Sequence, residues 1–323
     1  MLTRLRHAGR VLLSGVFPDP LLLANYSAAR RRIDELHSAL KSEPVVLTGS
    51  VGVGIAGIRR WRSWTEDHVM VPPAVEPADV LRGWRGGMPD AIRIPALRDL
   101  VHVEHHGRAR FEIQAVEGLA SSKSDLRAFA CLDDMADQQC QELMRSHGDD
   151  HSHLTRLMAH QESRVFHGGT DELVRYGWDG RIMLSNSGGS HHFVAARRLA
   201  GRMDQQVWCE APVRTENLVP AAVAALRKHY HIVAVPIRLE NAIHDVAMLT
   251  GAAYYKRPMP RPDVRQEALF LPRDIPSSVH LAEQLLAAGA PNVVHIMEQG
   301  LTLQADLQPI NSPDEPPRSA PQP

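Results

Sequence analysis

Apolar residues recur every three to four positions through Leu22, Leu23, Tyr26, Ala29, Ile33, Leu36 and Leu40, while Arg30, Arg31, Arg32 and Asp34 fall largely on the opposite side. That spacing predicts an amphipathic helix over 21–41, ended by Glu43-Pro44. A short strand is expected from Val45 to Thr48. The Pro-, Gly- and Trp-rich stretch 72–95 predicts an irregular loop with a short helix around Ala78 to Leu81. Partial alternation over 99–105 and again over 109–116, with His106-Gly107 between, predicts a β-hairpin. Leu126, Phe129, Leu132, Met135, Cys140 and Leu143 form the stripe of a helix over 124–146, with Ser124 as its N-cap.

Further on, a helix is expected around 152–160 and a strand from Gln206 to Ala211. A helix from Leu218 to His229, capped by Asn217, precedes a β-branched strand from His231 to Leu239. Asn241 to Leu249 reads as a helix stopped by Gly251, and Ser278 to Ala288 as another with Gly289 as its cap. Asn292 to Met297 and Leu301 to Ala305 read as a hairpin joined at Gln299-Gly300. Alternation of strand and helix points to an α/β (mixed α+β) protein. The expected division is a helical and hairpin region over 1–120, an α/β region over 121–310 and a disordered proline-rich tail over 311–323.

The most informative stretch runs from Asp179-Gly180 to Ala200. A turn leads into a short strand, Arg181 to Leu184, then into Gly188-Gly189-Ser190. A helix follows whose inner face is Phe193, Val194, Ala196, Leu199 and Ala200. A helix opening just after Gly-Gly-Ser has unpaired N–H groups and a positive dipole end, which suits an anion such as phosphate. Gly188, Gly189 and Ser190 are therefore the candidate anion cradle, and His191 and His192 the candidate catalytic groups.

Composition narrows the picture. The 323 residues carry 36 basic and 37 acidic side chains, a balance that excludes the global basic field of a non-specific nucleic-acid binder. Cys131, Cys140 and Cys209 lack any Cys-x-x-Cys spacing, which argues against a disulfide framework and fits a cytoplasmic protein. No apolar run approaches the ~20 residues of a membrane helix, so no membrane partner is expected. The N-terminus, with Arg4, Arg6 and Arg10, reads as an amphipathic arm rather than a leader.

Three other motifs compete for attention. Gly52, Gly54 and Gly57 match Gly-x-Gly-x-x-Gly, but Trp61, Trp64 and Pro72-Pro73 follow where a helix and an acid-bearing strand are required. A tight glycine turn is expected instead. The run His147-Gly148-Asp149-Asp150-His151-Ser152-His153, with His160 and His167, has the side chains for zinc or manganese, yet also reads as a solvated helix start capped by Asp150 or Ser152. No metal ligand is assigned from it. The run Tyr254-Tyr255-Lys256-Arg257-Pro258-Met259-Pro260-Arg261-Pro262 predicts a proline-stiffened surface loop; the alternative is a segment that binds an acidic partner or a nucleic-acid strand through stacking and charge.

The order Asp-Gly, strand, Gly-Ser-His-His, then Ala195-Ala196-Arg197-Arg198-Leu199-Ala200 resembles the central motif of the ParB/sulfiredoxin-like superfamily, over about residues 179–201. The wording around Ser187-Gly188-Gly189-Ser190-His191-His192-Phe193 also looks like that of an uncharacterised bacterial family of unknown function. The superfamily resemblance implies a ParB/sulfiredoxin-like central element, with an N-terminal helical, loop-rich extension, that holds nucleotide phosphates at this turn. One position departs from the pattern: His192 stands where arginine is usual, and histidine is a weaker, pH-dependent phosphate partner.

The expectation is thus a cytoplasmic nucleotide- or phosphate-binding protein of phosphohydrolase or phosphotransferase type, its ligand a nucleotide, with or without a divalent cation, or another phosphorylated small molecule. A non-enzymatic interaction protein that keeps the fold, and a His/Asp metal-dependent hydrolase or nuclease, are the alternatives. Enzyme activity, a protein partner and nucleic-acid binding stay open.

Overall fold

The structure, a computed structural model, describes residues 20–47, 49, 51–69, 75–145 and 150–307. The N-terminal arm, His147 and the tail 311–323 lie outside the described residues. In chain order the helices are α1 (Pro20–Ser42), α2 (Pro95–Arg98), α3 (Leu132–Gln139), α4 (Gln141–Met144), α5 (Asp150–Met158), α6 (Ser190–Arg202), α7 (Pro220–His229), α8 (Glu240–Thr250), α9 (Pro276–Ala287) and α10 (Val293–Ala305). The strands are β1 (His68–Val69), β2 (Val75–Glu76), β3 (Val80–Arg85), β4 (Met88–Arg93), β5 (Val101–Glu112), β6 (Gly118–Leu119), β7 (Glu172–Tyr176), β8 (Ile182–Ser185), β9 (Trp208–Leu218), β10 (Tyr230–Pro236), β11 (Tyr254–Pro258) and β12 (Gln266–Pro272). The fold is mixed α/β, as the alternation of strand and helix predicts.

The chain divides into two compact units, each drawn from separated segments. The first takes α1, Trp61–Leu100 and Val219–Glu298 and is built on an antiparallel sheet of order β10-β12-β11-β3-β4. Its core is aromatic. Trp64 packs on Trp61 at 5.2 Å and on Phe270 at 5.6 Å between ring centroids, and Tyr254 and Tyr255 are fully buried. Helix α8 stops at Gly251, which takes the left-handed conformation expected of a C-terminal glycine.

Several expectations are corrected here. Residues 80–93 are a strand pair, β3 and β4, rather than a loop with a helix at 78–81. Val45 to Leu47 is not a strand. Asn217 is the penultimate residue of β9, and the residue that caps α7 is Val219, followed by Pro220 at the first helical position. Tyr254–Pro258 is a strand, paired on both sides by β12 and β3. The exposed partner-binding loop proposed for this run is not formed at these residues, because the tyrosines bury their rings in the sheet core.

The second unit takes the segment ending at Arg60, Val101–Leu218 and the segment from Gln299. Its sheet has the order β5-β9-β7-β8-β6, with β7/β9 and β6/β8 parallel and the other pairs antiparallel. Residues 101–112 make one long strand instead of a hairpin: β9 pairs along its whole length, and Gly107 is absorbed as a register shift between His106 and Arg108. The glycines at 52–57 form a tight turn with a single 3-10 turn, Ile55–Gly57, so no dinucleotide-type strand–helix corner is built. The segment 124–145 is broken into a 3-10 turn, α3 and α4, with Cys131 as the cap of α3. Its predicted stripe is nonetheless right, since Phe129, Leu132, Met135 and Cys140 are all buried. Residues 293–305 are helical, not a hairpin. Gly300 is tolerated there because the helix approaches Trp178 so closely that a Cβ would come within 2.8 Å of that residue's Cβ.

Helix α6 anchors this unit. Phe193, Val194, Ala196 and Leu199 sit in a core shared with Leu132, Met135, Leu173 and Leu184. Each large apolar side chain of this kind contributes about 1.5–3 kcal/mol through burial. Arg197 and Arg198, on another face, reach Asp133 and Asp137 of α3, which removes both guanidiniums from the N-terminal end of the helix.

Candidate functional site

Parallel pairing of β6 with β8 is what assembles the site. The register sets Gly118 against Met183 and Leu119 against Leu184, so both strands end on the same side and their outgoing loops run together. Ligands in such sheets bind outside the carboxyl ends of the strands. Asn186 clamps the two loops: its Oδ1 accepts from the N–H groups of Ala120 (3.1 Å) and Ser121 (3.2 Å), and its Nδ2 donates to the carbonyls of Ser121 and Gly188, each at 3.0 Å. Ser121 Oγ answers by donating to Asn186 O at 2.8 Å.

The cleft that results has a volume of about 540 Å³. Its walls are Ser121–Lys123, Glu162 and Arg164, and Ser187–His192. Gly189 turns the chain into α6 with φ of +66°, the left-handed region that a glycine enters freely. A Cβ at this position would stand 2.5 Å from Glu162 O, so the wall and the turn are fitted to each other. No side chain caps α6, and the first turn, with the positive end of the dipole, contributes Ser190, His191 and His192 to the lining of the cleft.

Charge in the cleft is mixed and mostly positive. Lys123 and Arg164 line it, and Arg164 Nη1 donates to Ser187 Oγ at 2.7 Å. Glu162 is the acidic side chain in the lining. Behind the turn, buried Asp171 accepts from Ser187 N at 3.4 Å, and burial raises its carboxyl above the ordinary value.

Both predicted histidines are here. His191 Nε2 lies 3.1 Å from Ser124 Oγ, and its Nδ1 lies 3.4 Å from Ser190 Oγ. His192 stacks on His160, with ring centroids 3.5 Å apart and planes 11° from parallel. Burial is the main reason that both histidines sit below the ordinary histidine value. Lys123 adds to the effect at His191 and His160 at His192. Both rings are therefore neutral at pH 7 and able to accept a proton.

Among the described residues of the His/Asp run, His160 alone joins this arrangement. His153 is buried, with Nε2 2.6 Å from Leu143 O and Nδ1 3.2 Å from Arg156 Nη2, a structural role. His151 and His167 are exposed. Among the described residues no group of three or more His, Cys, Asp and Glu side chains is gathered as a metal site. Burial pushes the Cys140 thiol to about 11 and that of Cys209 to about 12, so both behave as core residues.

Sequence reasoning missed Lys123, Glu162, Arg164 and Asn186, and it read Ser124 as a helix cap. The available signal was the run Ser121-Ser122-Lys123-Ser124 directly after a short apolar segment. Only the pairing of β6 with β8 shows that this run faces the glycine turn.

Among the described residues no helix is long and apolar enough to cross a membrane. No curated protein and no solved structure matches the chain. A family match extends over residues 106–306, more than half of the chain, and includes every residue that lines the cleft. On that match the chain belongs to DUF6685, a family of unknown function.

Proposed function

We propose that the cleft binds the phosphate of a nucleotide or of another phosphorylated small molecule, and that the protein acts on it as a phosphohydrolase or phosphotransferase. One observation carries the reading: an uncapped helix N-terminus, entered through left-handed Gly189, opens into a cleft that Lys123 and Arg164 also line. The N–H groups after Gly188-Gly189-Ser190 cradle the phosphate oxygens, and the two cations balance their charge. Neutral His191 and His192 serve as hydrogen-bond donors or as general acid and base. The resemblance of residues 179–201 to the phosphate-holding turn of ParB/sulfiredoxin-like proteins points the same way, with the charge of the missing arginine supplied from Lys123 and Arg164. Glu162 is the acid among the described residues that line the cleft, and a cation arriving with a nucleotide takes its remaining ligands from phosphate and water.

Calorimetric titration of inorganic phosphate, AMP and ATP into the full chain tests this reading. Wild type is expected to bind at least one of them. The double variant Lys123→Ala, Arg164→Ala should lose about tenfold or more in affinity, because two charge-assisted contacts are removed. Flat titrations of wild type with all three would overturn the proposal.

A further inference from the structure

We propose that Ser124 is a nucleophile, activated by His191, that takes up the phosphoryl group of the molecule held in the cleft. The proposal rests on the reading of the cleft as a phosphate site and adds to it a covalent step and the residue that performs it.

The hydrogen bonds around His191 have a direction. Ser190 Oγ donates to Ser122 Oγ at 3.1 Å, which leaves its oxygen as the acceptor facing His191 Nδ1 at 3.4 Å. In the tautomer that donates from Nδ1 to that oxygen, the bare nitrogen is Nε2. That nitrogen is the one 3.1 Å from Ser124 Oγ, the distance and polarity of a general base beside its nucleophile. Ser122 Oγ also accepts from the Ser124 N–H at 3.2 Å, which fixes the backbone that carries the nucleophile. Lys123 lies between these serines in sequence and lines the cleft, as does His191, so the reactive pair stands at the edge of the phosphate site.

The ring is also in the right protonation state. Burial and then Lys123 keep His191 below the ordinary histidine value, so it is a free base at neutral pH. The group behind it is a hydroxyl, Ser190, where Ser-His-Asp enzymes place a carboxylate, so a slower nucleophile is expected than in those enzymes.

In the step, Ser124 Oγ attacks phosphorus, the Oγ–P bond forms, and the P–O bond to the leaving group breaks with its electron pair on the departing oxygen. The Ser124 proton passes to His191 Nε2 and from there to that oxygen. Water then attacks the phosphorus of the phosphoserine as His191 Nε2 takes its proton, the Oγ–P bond breaks with its electron pair on Oγ, and the proton passes from His191 to Oγ, which releases phosphate and restores Ser124. The first-turn N–H groups of α6 stabilise charge on the non-bridging oxygens.

A fluorophosphonate tests nucleophile activation without knowledge of the substrate, because the Oγ–P bond forms, the P–F bond breaks, fluoride leaves and the proton goes to His191. Treatment of the full chain with diisopropyl fluorophosphate, followed by mass spectrometry of its peptides, should show one adduct, on Ser124. The adduct should vanish in Ser124→Ala and form about 100-fold or more slowly in His191→Gln. In wild type the labelling rate should fall at acid pH with a midpoint below about 6.5, a readout that does not depend on any variant folding. No adduct, an adduct on another serine, or an unchanged rate in His191→Gln would overturn the proposal. Calorimetric titration of Ser124→Ala with inorganic phosphate and ATP separates the two ideas. Binding without labelling in wild type sinks the nucleophile and leaves the cleft standing, while labelling without binding sinks the phosphate site and removes the phosphoryl step with it.

Discussion

Tyr254–Pro258 in the first unit and the pair of loops Ser121–Ser124 and Ser187–His192 in the second carry similar chemistry and put it to opposite uses. In the strand, aromatic and cationic side chains are consumed by the fold. Tyr255 OH donates to Asp90 Oδ2 at 2.6 Å and accepts from Arg85 Nε at 3.1 Å, Lys256 pairs with Glu240, and Arg257 donates to Ala78 O. Burial shows in their titration: Tyr254 and Tyr255 are pushed up to about 12, and Arg257 falls to about 10. In the loops, Lys123 and His191 line a cleft, as does Arg164 from the wall beside them, and the first turn of α6 stands at its edge. A run of reactive residue types marks a site where the fold leaves it facing a cavity, and an ordinary part of the core where β-pairing surrounds it.

Replacing Tyr255 by Ala attacks this contrast from the structural side and has the largest expected effect. Loss of a fully buried aromatic in a sheet core should cost about 3–5 kcal/mol in denaturant unfolding. A change under about 0.5 kcal/mol, as for an ordinary surface position, would return the segment to an exposed loop.

Gly189→Ala tests the other side. The left-handed backbone costs an alanine about 1–2 kcal/mol, and the added Cβ presses on Glu162 O. Moderate destabilisation with complete loss of phosphate binding is expected, read by urea unfolding and calorimetry. Wild-type affinity in this variant would show that the turn is not the cradle.

The smallest effect is on pH. Because His191 and His192 titrate below the ordinary value when folded, the unfolded chain takes up protons first as pH falls through about 6.5. Their contribution is fully present above that pH and is lost between it and their lower folded values. The urea midpoint of wild type should therefore drop between pH 7 and pH 5 by more than that of His191→Asn, His192→Asn. Parallel curves would show that these rings do not carry the effect.

What was legible in the sequence was local. The strand at 182–185, the glycine corner and α6 follow from period and punctuation within some twenty residues, as do α1 and the Gly251 stop. Misreadings arose where a distant partner overrode the local signal. His106-Gly107 looks like a hairpin turn, yet β9 pairs on both sides of it and absorbs the glycine as a bulge. Val293, Val294 and Ile296 look β-like before Gly300, but Trp178 packs where a side chain at 300 would be, and Gln304 bonds both backbone groups of Leu218. The glycine turn was half of the site. Ser121–Ser124 is the other half, and Ser121 lies 65 residues from Asn186 in sequence and meets it through the β6/β8 pairing.

The most direct measurement is a titration of isotopically labelled full-length chain with inorganic phosphate, followed through amide resonances. Saturable shifts are expected at Gly188, Gly189, Ser190, His191 and Lys123, with Tyr254, Tyr255 and Arg257 unmoved. An absence of shifts at the glycine turn, or a response confined to the β11 segment, would contradict the assignment of the cleft as the phosphate site.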